Sequence, residues 1–423
     1  MKVVVIGNGI GGFSVASTIR HLDDRCDVTI ISSEKTPLYS ACALPDYISG
    51  EISREHVFVK SAQDYERAGI HSLFGFEVKE IDPVARKVRM DDGASLSFDK
   101  LVLATGSEAI IPGDRKKGVF KLKTLKDADD ILNHGGKKAV VVGAGPIGIE
   151  IGIALQSSGY EVAIVEMMDN VLPLGLDEKG AGKVKAILKE HGITVFNSER
   201  SEKILGKDQV EGIVTNKREM ECDTLVWAVG MRPRTELAKQ AGIAIESRGG
   251  IRVNSRMETN LPGIFACGDC VESNDILTGE PYPSLFWHNA NRQGAVAARN
   301  CLGSSVEYPG SQSILNVDVF GNHVAGFGFT EAALHRFQGI KALNGRLANI
   351  SVVEKEENRS YYRLVLLDDR LYGGQFINVE SGLGLLWSLM FRKKSMKDIV
   401  KILNDKNQLM HRPWLRPIRP FFM

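Results

Sequence analysis

The sequence predicts an α/β fold with two parallel sheets of the Rossmann type, followed by a smaller α+β unit at its C-terminal end. Three observations lead to this prediction. Two glycine-rich loops each follow a short β-branched strand and precede a helical stretch. Two similar segments lie further along, FDKLVLATG at 98–106 and CDTLVWAVG at 222–230. Strand-like runs recur after residue 318 without another glycine loop of this kind.

Composition places the chain among folded proteins and excludes two classes of partner. Its 423 residues are 43% hydrophobic and 25% charged, the usual mixture of a globular protein. Lys and Arg number 53 against 52 Asp and Glu, so the basic excess of a nucleic-acid-binding protein is missing. The longest clean apolar stretch, Gly382 to Phe391, is about half of what a bilayer requires. We therefore expect neither nucleic-acid binding nor a membrane span.

The N-terminus and the cysteines indicate a cytoplasmic protein. The first strand begins within the opening MKVVVIGNG, which leaves no space for a signal peptide before it. The six cysteines are not spaced like the disulfide framework of a secreted protein. From both features, we expect the protein to be located in the cytoplasm.

The first glycine-rich loop has the parts that a dinucleotide site needs. Its glycines, Gly7, Gly9 and Gly12, connect the strand Val3–Ile6 to a helical stretch. The first glycine permits a tight turn, the second lets a pyrophosphate approach the backbone, and the third lets the helix pack on the strand. Free N–H groups at the helix N-terminus would bind the phosphates. Glu34, after the second strand, is placed to accept a hydrogen bond from a ribose hydroxyl.

The same order of elements recurs in the middle of the chain. Gly143, Gly145 and Gly148 follow a strand and precede a helix, and a second strand then ends at Glu166. One G-x-G-x-x-G loop is weak evidence because glycine turns are common, whereas two loops with complete surroundings are strong evidence. We interpret the chain as two homologous dinucleotide-binding units, with two unrelated βαβ units as the alternative.

A third motif resembles a known family. The string TNLPGIFACGD, residues 259–269, is similar to the second flavin motif of the pyridine nucleotide–disulfide oxidoreductase superfamily. The resemblance implies that the first glycine loop binds the ADP half of FAD and that the second binds NAD(P)H. In that family an aspartate at the place of Asp269 binds the ribityl chain of FAD. The resemblance also assigns Thr105, Gly106 and Gly268 to the FAD site.

NADH is the expected nucleotide of the second unit, rather than NADPH. The residues from Glu166 to Asp169 include no Arg or Lys. A 2′-phosphate needs a cationic partner, and a carboxylate would repel it. A solvated strand end is the alternative interpretation of Glu166. Gly230 begins the segment GMRP, which resembles the loop that closes the NAD domain in the family.

The resemblance implies an order of domains and an oligomeric state. The expected domains are a discontinuous FAD-binding domain at 1–110 and 235–318, an NAD(H)-binding domain at 111–234, and a C-terminal α+β interface domain at 319–423. The expected elements of the last are strands at 317–320, 361–367 and 372–378 and a helix at about 383–403. Because the family often uses this domain for dimerisation, we expect a homodimer.

The electron acceptor is the open question, and Cys42 is one candidate for a catalytic residue. The string CALPDYISGE, which begins at Cys42, looks much like a segment of coenzyme A–disulfide reductases in which one cysteine faces the flavin. A thiolate at a helix N-terminus could attack a disulfide or a persulfide. No second cysteine lies five residues further on, which argues against a glutathione- or lipoamide-type enzyme. A small buried cysteine beside the flavin is the alternative.

Two departures from the thiol enzymes favour another acceptor. Tyr361 and Tyr362 run into a strand, where coenzyme A–disulfide reductases have a Tyr-Tyr-Pro-Gly type loop. Ile10 stands where NADH oxidases carry a histidine. Cys267 and Cys270 form a C-x-x-C pair, whose spacing suits a redox pair or half a metal site, but the residues between them belong to the flavin motif. Because the sequence has no second C-x-x-C and its nine histidines show no ligand spacing, we expect no metal site, and a redox role for the pair is the alternative.

The remaining resemblance is to enzymes that serve iron–sulfur proteins. The segments 36–40 and 379–390 resemble NADH:rubredoxin reductases and the FAD–NAD oxidoreductases of the nitrite reductase type. A basic tail at 392–423 could steer an acidic iron–sulfur carrier. A solvated helix followed by an arm that packs on the partner subunit is the alternative interpretation of this tail. We therefore expect an FAD-dependent enzyme that passes electrons from NADH to an iron–sulfur protein such as a rubredoxin or ferredoxin, or in reverse. The alternative is a single-cysteine disulfide or persulfide reductase that uses Cys42, or an NADH oxidase.

Overall fold

The chain forms two compact units in the computed structural model, which describes residues 1–113, 115–283, 285–336, 349–379, 381–392 and 395. The first unit contains residues 1–43, 52–109 and 231–312. The second contains residues 44–51, 110–230 and the described residues from 313 onward. The helices are α1 Ile10–Leu22, α2 Leu44–Ser49, α3 Ala62–Arg67, α4 Leu125–His134, α5 Pro146–Ser157, α6 Glu178–Glu190, α7 Glu236–Gln240, α8 Trp287–Cys301, α9 Glu331–Arg336 and α10 Leu383–Phe391.

A five-stranded parallel sheet is the centre of the first unit. In order across the sheet, its strands are Ile264–Ala266, Lys100–Leu103, Lys2–Ile6, Asp27–Ser32 and Ile70–Phe74. The middle strand is buried on both faces, with Val3, Val4 and Val5 at most 3% exposed. Burial on both faces explains its unbroken run of β-branched residues.

The second unit repeats this arrangement. Its parallel sheet has the order Thr194–Phe196, Glu161–Val165, Lys138–Val142, Thr224–Trp227 and Val119–Lys121. In both sheets the strand before the glycine loop lies in the middle. It pairs on one side with the strand that precedes the acid and on the other with the Asp-x-Leu-Val strand. The expected repetition of one α/β plan is therefore confirmed at the level of strand order.

Small sheets lie beside these cores, and all are antiparallel except that Ile251–Arg252 pairs parallel with Val271–Asn274. The first unit holds Val78–Asp82, Lys87–Met90 and Ser95–Ser97, then Ser107–Ala109 with Met231–Pro233, and Ile251–Arg252, Val271–Asn274 and Pro281–Pro283. The second unit holds Ser201–Leu205, Gly212–Thr215 and Glu219–Glu221. In each unit, one three-stranded sheet occupies the same place in the chain, just before the Asp-x-Leu-Val strand. Its recurrence extends the internal repeat beyond the glycine loops.

A five-stranded antiparallel sheet follows near the C-terminal end. Its order is Ile314–Val319, Asn322–Gly328, Arg370–Ile377, Ser360–Leu367 and Ile350–Glu357. Helix α10 comes next, and the rest of the helix expected at 383–403 lies outside the described residues except for Arg392 and Ser395. Among the helices that the structure describes, none combines the length and the apolar character needed to cross a membrane.

Helix α2 belongs to the second unit although its neighbours in the chain belong to the first. It packs against α4 and α5. The Tyr47 hydroxyl donates a hydrogen bond to Asp129 Oδ1 at 2.9 Å, and the Ser158 hydroxyl donates one to the Ile48 carbonyl at 2.9 Å. The chain therefore passes into the second unit directly after the turn that carries Cys42.

Candidate functional site

In the first glycine loop, two glycines have no room for a side chain and the third faces open space. A Cβ atom added at Gly7 would lie 2.0 Å from the Ala104 carbonyl oxygen, and one at Gly12 would lie 1.9 Å from the Gly7 carbonyl oxygen. A Cβ at Gly9 would meet nothing within 4 Å. Gly7 also has φ +110°, which other residues rarely adopt. The backbone at Gly9 is thus open to a ligand, as a pyrophosphate requires.

The second glycine loop has the same division. A Cβ at Gly143 would lie 2.4 Å from the Ala228 carbonyl oxygen, and one at Gly148 would lie 1.8 Å from the Gly143 carbonyl oxygen. Gly145 again faces open space. Neither Gly9 nor Gly145 supplies a side-chain cap to the helix that follows it. The N–H groups in the first turns of α1 and of α5, where Pro146 itself has none, can therefore bind an anion. Both loops therefore fit the phosphates of a dinucleotide.

The acids after the two second strands differ in their surroundings. Glu34 is exposed, and its Oε2 accepts a hydrogen bond from the Tyr39 hydroxyl at 2.7 Å. Glu166 is only 7% exposed, and it accepts hydrogen bonds from the backbone N–H groups of Ala144 at 2.6 Å and Met168 at 2.8 Å. Its carboxylate thereby fixes the second glycine loop, a role that the sequence did not reveal.

Leu172 is a further residue at the second loop that the sequence did not indicate. Its backbone has φ +48°, in the left-handed region that leucine rarely adopts, and its side chain is 1% exposed. The Leu172 N–H donates a hydrogen bond to the Ala144 carbonyl at 2.8 Å. Because the Ala144 N–H donates to Glu166, both backbone polar groups of Ala144 are hydrogen-bonded. No residue-type signal in the sequence marks Leu172 for this conformation.

The residues expected at the FAD site gather at the carboxyl edge of the first sheet. Strands Lys100–Leu103 and Ile264–Ala266 run parallel and end together, which brings Thr105 and Gly106 close to Gly268 and Asp269. The Ser107 hydroxyl donates to Asp269 Oδ2 at 2.8 Å. Ligands of open parallel sheets bind at this edge.

The residues expected at the NAD site lie at the same edge of the second sheet. Gly230 follows the strand Thr224–Trp227 with φ +104°, and its carbonyl accepts a hydrogen bond from the Ile110 N–H at 3.0 Å. Gly143 follows the neighbouring strand, and Glu166 follows the one beyond. The structure thus brings together each predicted set within its own unit.

Cys42 is the one exposed cysteine among the six, all of which lie in the described part of the chain. It lies in the 3-10 turn Ala41–Ala43, before α2 begins, so the expected position at the start of a helix is only approximate. Burial raises the pKa of both Cys222 and Cys301 to about 12. These buried thiols are therefore poor nucleophiles.

The C-x-x-C pair is sealed inside the first unit. Cys267 and Cys270 are 0% exposed, and burial raises the pKa of both thiols. Within the described ranges, no group of three or more His, Cys, Asp or Glu side chains could hold a metal ion. The pair therefore contributes to the core that supports the Gly268–Asp269 segment.

A pair of carboxyl groups lies in the second unit, near the second glycine loop along the chain. Burial, and then the charge of Asp46, raises the pKa of Glu150 on α5 to about 8. Burial, and then the charges of Glu51 and Asp318, raises the pKa of Asp46 on α2. This pair could not be predicted from the sequence, because its members lie far apart in the chain and come near each other only when α2 packs on α5.

Two of the sequence features that bear on the electron acceptor are the paired tyrosines, which lie in the described structure, and the basic tail, most of which does not. Tyr361 and Tyr362 lie in the strand Ser360–Leu367, as expected, and Tyr361 is 0% exposed. Its hydroxyl donates to Asp177 Oδ2 at 3.3 Å. The basic tail proposed for docking of an iron–sulfur carrier lies outside the described residues, apart from Arg392 and Ser395.

Comparison with known proteins identifies a family and several relatives, all of them oxidoreductases or parts of them. The family model described as pyridine nucleotide-disulphide oxidoreductase matches residues 1–294. An NADH oxidase of Methanocaldococcus jannaschii is 39% identical over 321 residues, 73% of this chain and 71% of that protein. The assimilatory nitrate reductase electron transfer subunit of Bacillus subtilis is 30% identical over 380 residues, 88% of this chain but only 47% of that protein.

A solved structure supports the same assignment over nearly the whole chain. The NAD-dependent persulfide reductase from A. fulgidus has a TM-score of 0.87 and 29% identity, covering 95% of this chain and 79% of that one. The expected fold class, family and cofactors are thereby confirmed. The chain belongs to the pyridine nucleotide-disulphide oxidoreductase family, and it is an FAD-dependent NAD(P)H oxidoreductase.

Proposed function

We propose that this enzyme uses NADH to reduce a small disulfide or persulfide, with Cys42 as the reactive thiol. The observation that carries the proposal is the exposure of Cys42, because the five other cysteines are buried. A substrate sulfur atom must reach a thiolate for exchange to occur, and an exposed thiol meets that requirement.

The cofactors would occupy the two glycine loops. FAD would lie in the first unit, with its pyrophosphate at Gly9 and its ribityl chain at Asp269. NADH would lie in the second unit, with its pyrophosphate at Gly145 and its adenosine ribose near Glu166. When bound, FAD supplies the redox chemistry that links a two-electron nucleotide to a thiol.

The reaction at Cys42 balances as one thiol exchange followed by one two-electron reduction. With a disulfide, the Cys42 thiolate attacks one sulfur, which forms a mixed disulfide and releases the other sulfur as a thiolate; with a persulfide, it attacks the outer sulfur, which leaves a persulfide on Cys42 and releases the substrate thiolate. The electron pair provided by NADH then cleaves the new S–S bond, which restores the Cys42 thiolate and releases the second thiol or hydrogen sulfide. One hydride and one proton are consumed for each disulfide or persulfide reduced, and NAD⁺ is the other product.

The relatives favour this acceptor over the iron–sulfur protein that the sequence led us to expect. The matching solved structure is named a persulfide reductase, and the 39% identical relative is named an NADH oxidase. Both names fall within the alternative interpretation of the sequence, a single-cysteine disulfide or persulfide reductase that uses Cys42, or an NADH oxidase.

Steady-state assays with two kinds of acceptor test the proposal. Cys42→Ser should lose at least about a thousandfold in NADH-dependent reduction of coenzyme A disulfide or persulfide, because it removes the nucleophile. Reduction of ferricyanide, which needs no thiol, should stay near the wild-type rate. Cys222→Ser is the matched control, since it replaces a buried thiol in the second unit and should retain both activities. A Cys42→Ser enzyme that still reduces the disulfide at the wild-type rate would contradict the proposal.

Electron delivery to an iron–sulfur protein is the second candidate. It is favoured by the 30% identical relative that is named an electron transfer subunit. The same Cys42→Ser enzyme separates the candidates, since it should reduce a rubredoxin or ferredoxin as fast as wild type if Cys42 is a bystander. Negligible reduction of these proteins by wild type would exclude this candidate for the carriers tested.

A further inference from the structure

Asn8, between the first two glycines of the first loop, is held at both ends of its side-chain amide. Its Oδ1 accepts a hydrogen bond from the Tyr65 hydroxyl at 2.6 Å, and its Nδ2 donates to the Thr36 carbonyl at 3.3 Å. Ala144 occupies the matching place in the second loop, where the Glu166 carboxylate holds the backbone instead. The first loop is thus fixed through the side chain of Asn8, and the second through a backbone N–H that donates to a carboxylate.

The Tyr65 hydroxyl has a defined direction. It accepts a hydrogen bond from the Leu38 N–H at 3.1 Å, and a backbone N–H can only donate. The single hydroxyl hydrogen is therefore available for Asn8, which orients the Asn8 amide with its oxygen toward the tyrosine. Burial raises the pKa of Tyr65 to about 12, so this hydrogen is retained at neutral pH.

The Tyr65 ring is fixed from several sides. It is 0% exposed, and it makes edge-to-face contacts with Phe13 and Phe74, each with ring centroids 5.3 Å apart. Helix α3, which carries it, begins at a capping box in which the Ser61 N–H donates to Asp64 Oδ2 at 2.7 Å. The hydroxyl therefore reaches Asn8 from a rigid support.

We propose that Tyr65 is a positioning residue for FAD, which acts through Asn8 to hold the first glycine loop in its phosphate-accepting form. The inference rests on the proposed assignment of that loop to FAD. A loop that must present N–H groups to a pyrophosphate binds more tightly when its geometry is fixed before the ligand arrives. Tyr65 does not contact the open face at Gly9, so its effect on FAD would be indirect.

The rate at which FAD leaves the holoenzyme tests this proposal, followed by flavin fluorescence after dilution. Tyr65→Phe removes the hydroxyl and leaves the Leu38 N–H and Asn8 Oδ1 without their partner, so FAD should leave about tenfold to a hundredfold faster. Tyr160→Phe is the matched control, because it removes a hydroxyl that accepts the Gly136 N–H at 2.9 Å in the second unit. FAD release from this control should match wild type.

Asn8→Ala removes the residue through which Tyr65 is proposed to act, and combining it with Tyr65→Phe separates a positioning role from a general loss of stability. It should also speed FAD release, and it remains informative if Tyr65→Phe does not fold. If Tyr65 acts through Asn8, the double variant should release FAD about as fast as the faster single variant. Additive effects, or wild-type release from either single variant, would overturn the proposal. Asp269→Ala, which removes the carboxylate expected at the ribityl chain, should lose FAD. If it does so while both single variants release FAD at the wild-type rate, the role of Tyr65 is excluded and the FAD site proposed for the first unit is retained.

Discussion

Glu166 holds the second glycine loop and also places a negative charge beside the expected nucleotide. Glu34, the corresponding acid of the first unit, does not combine these two roles. Its buried carboxylate accepts two backbone N–H bonds, one of them from the glycine loop, whereas Glu34 remains exposed. We propose that this arrangement also accounts for a preference for NADH, because a 2′-phosphate would meet a fixed negative charge. Substitution of Glu166 by arginine would therefore disturb the loop as well as the charge.

A milder substitution isolates the loop-holding task. Glu166→Gln keeps one acceptor oxygen but turns an amide N–H toward the second backbone donor, which loses its partner. The KM for NADH should rise about tenfold, in keeping with the cost of an unpaired buried donor. Steady-state kinetics at saturating acceptor measure this change.

Glu161→Gln is the control for that measurement. Glu161 is exposed at the opposite end of the same strand, so its replacement should leave the KM unchanged. A wild-type KM in Glu166→Gln would show that the two hydrogen bonds do not control nucleotide binding.

At the scale of elements, the packing of α2 on α5 creates a carboxyl pair. Glu150 and Asp46 come from different parts of the chain. Partial burial raises the pKa of both, and the charge of Asp46 raises the pKa of Glu150 further. Glu150 follows Gly148 by two residues, so its helix also carries the second glycine loop. Protonation of this pair is thus tied to the packing of two elements.

The raised pKa of Glu150 predicts a dependence of stability on pH. Its ordinary value is 4.5 and its folded value is about 8, so the folded protein holds more protons than the unfolded chain between these limits. This contribution to stability is complete below the lower limit and is lost as pH rises through the upper one, at no more than about 1.4 kcal/mol per pH unit.

Urea denaturation between pH 5 and 9 measures this dependence. Glu150→Gln should remove its share of the decline and be more stable than wild type at pH 8.5. Glu190→Gln, on the exposed end of α6, is the control and should follow the wild-type curve. Parallel curves for Glu150→Gln and wild type would contradict the assignment of the decline to Glu150.

At the scale of the whole molecule, Arg363 connects separate parts of the second unit. Its guanidinium pairs with Asp177 Oδ2 at 2.8 Å and Glu354 Oε2 at 2.8 Å, and it also reaches Glu331. Asp177 caps α6, while Glu354 lies in the C-terminal sheet. The side chain of Arg363 is 22% exposed, so this network is partly shielded from solvent.

Removal of Arg363 should destabilise the second unit. Arg363→Met leaves three carboxylates without their shared cation, and we expect the free energy of unfolding to fall by about 2–4 kcal/mol. Arg359→Met, at an exposed turn of the same sheet, should change it by less than about 0.5 kcal/mol. Equal denaturation midpoints for the two variants would contradict a central role for Arg363.

Local patterns in the sequence were sufficient to predict the two α/β cores. Each core has a buried β-branched strand, three glycines with separate steric tasks and an acid after the second strand, and all of these are near neighbours in the chain. The strand Ile350–Glu357 was missed because its second half, Glu-Lys-Glu-Glu, has the charge of a solvated loop. In the structure this strand lies at the sheet edge, where Glu354 pairs with Arg363 of the next strand.

Long-range contacts were the part of the site that the sequence could not supply. The hydroxyl of Tyr65 reaches Asn8 across 57 residues, and Glu166 reaches back 22 residues to Ala144. Neither contact produces a periodic pattern, since each depends on where a whole element packs. The domain boundaries and the homodimer expected through residues 319–423 stay predictions.

The placement of α2 has a consequence for anyone who recombines parts of this protein. A gene fragment for residues 111–234 would encode the second parallel sheet without α2, whose Leu44 and Ile48 are at most 2% exposed in the intact chain. The apolar surface that α2 covers on α4 and α5 would then face water and promote aggregation. A hybrid enzyme that exchanges this module therefore has to carry residues 44–51 along with it, as a second, non-contiguous insert.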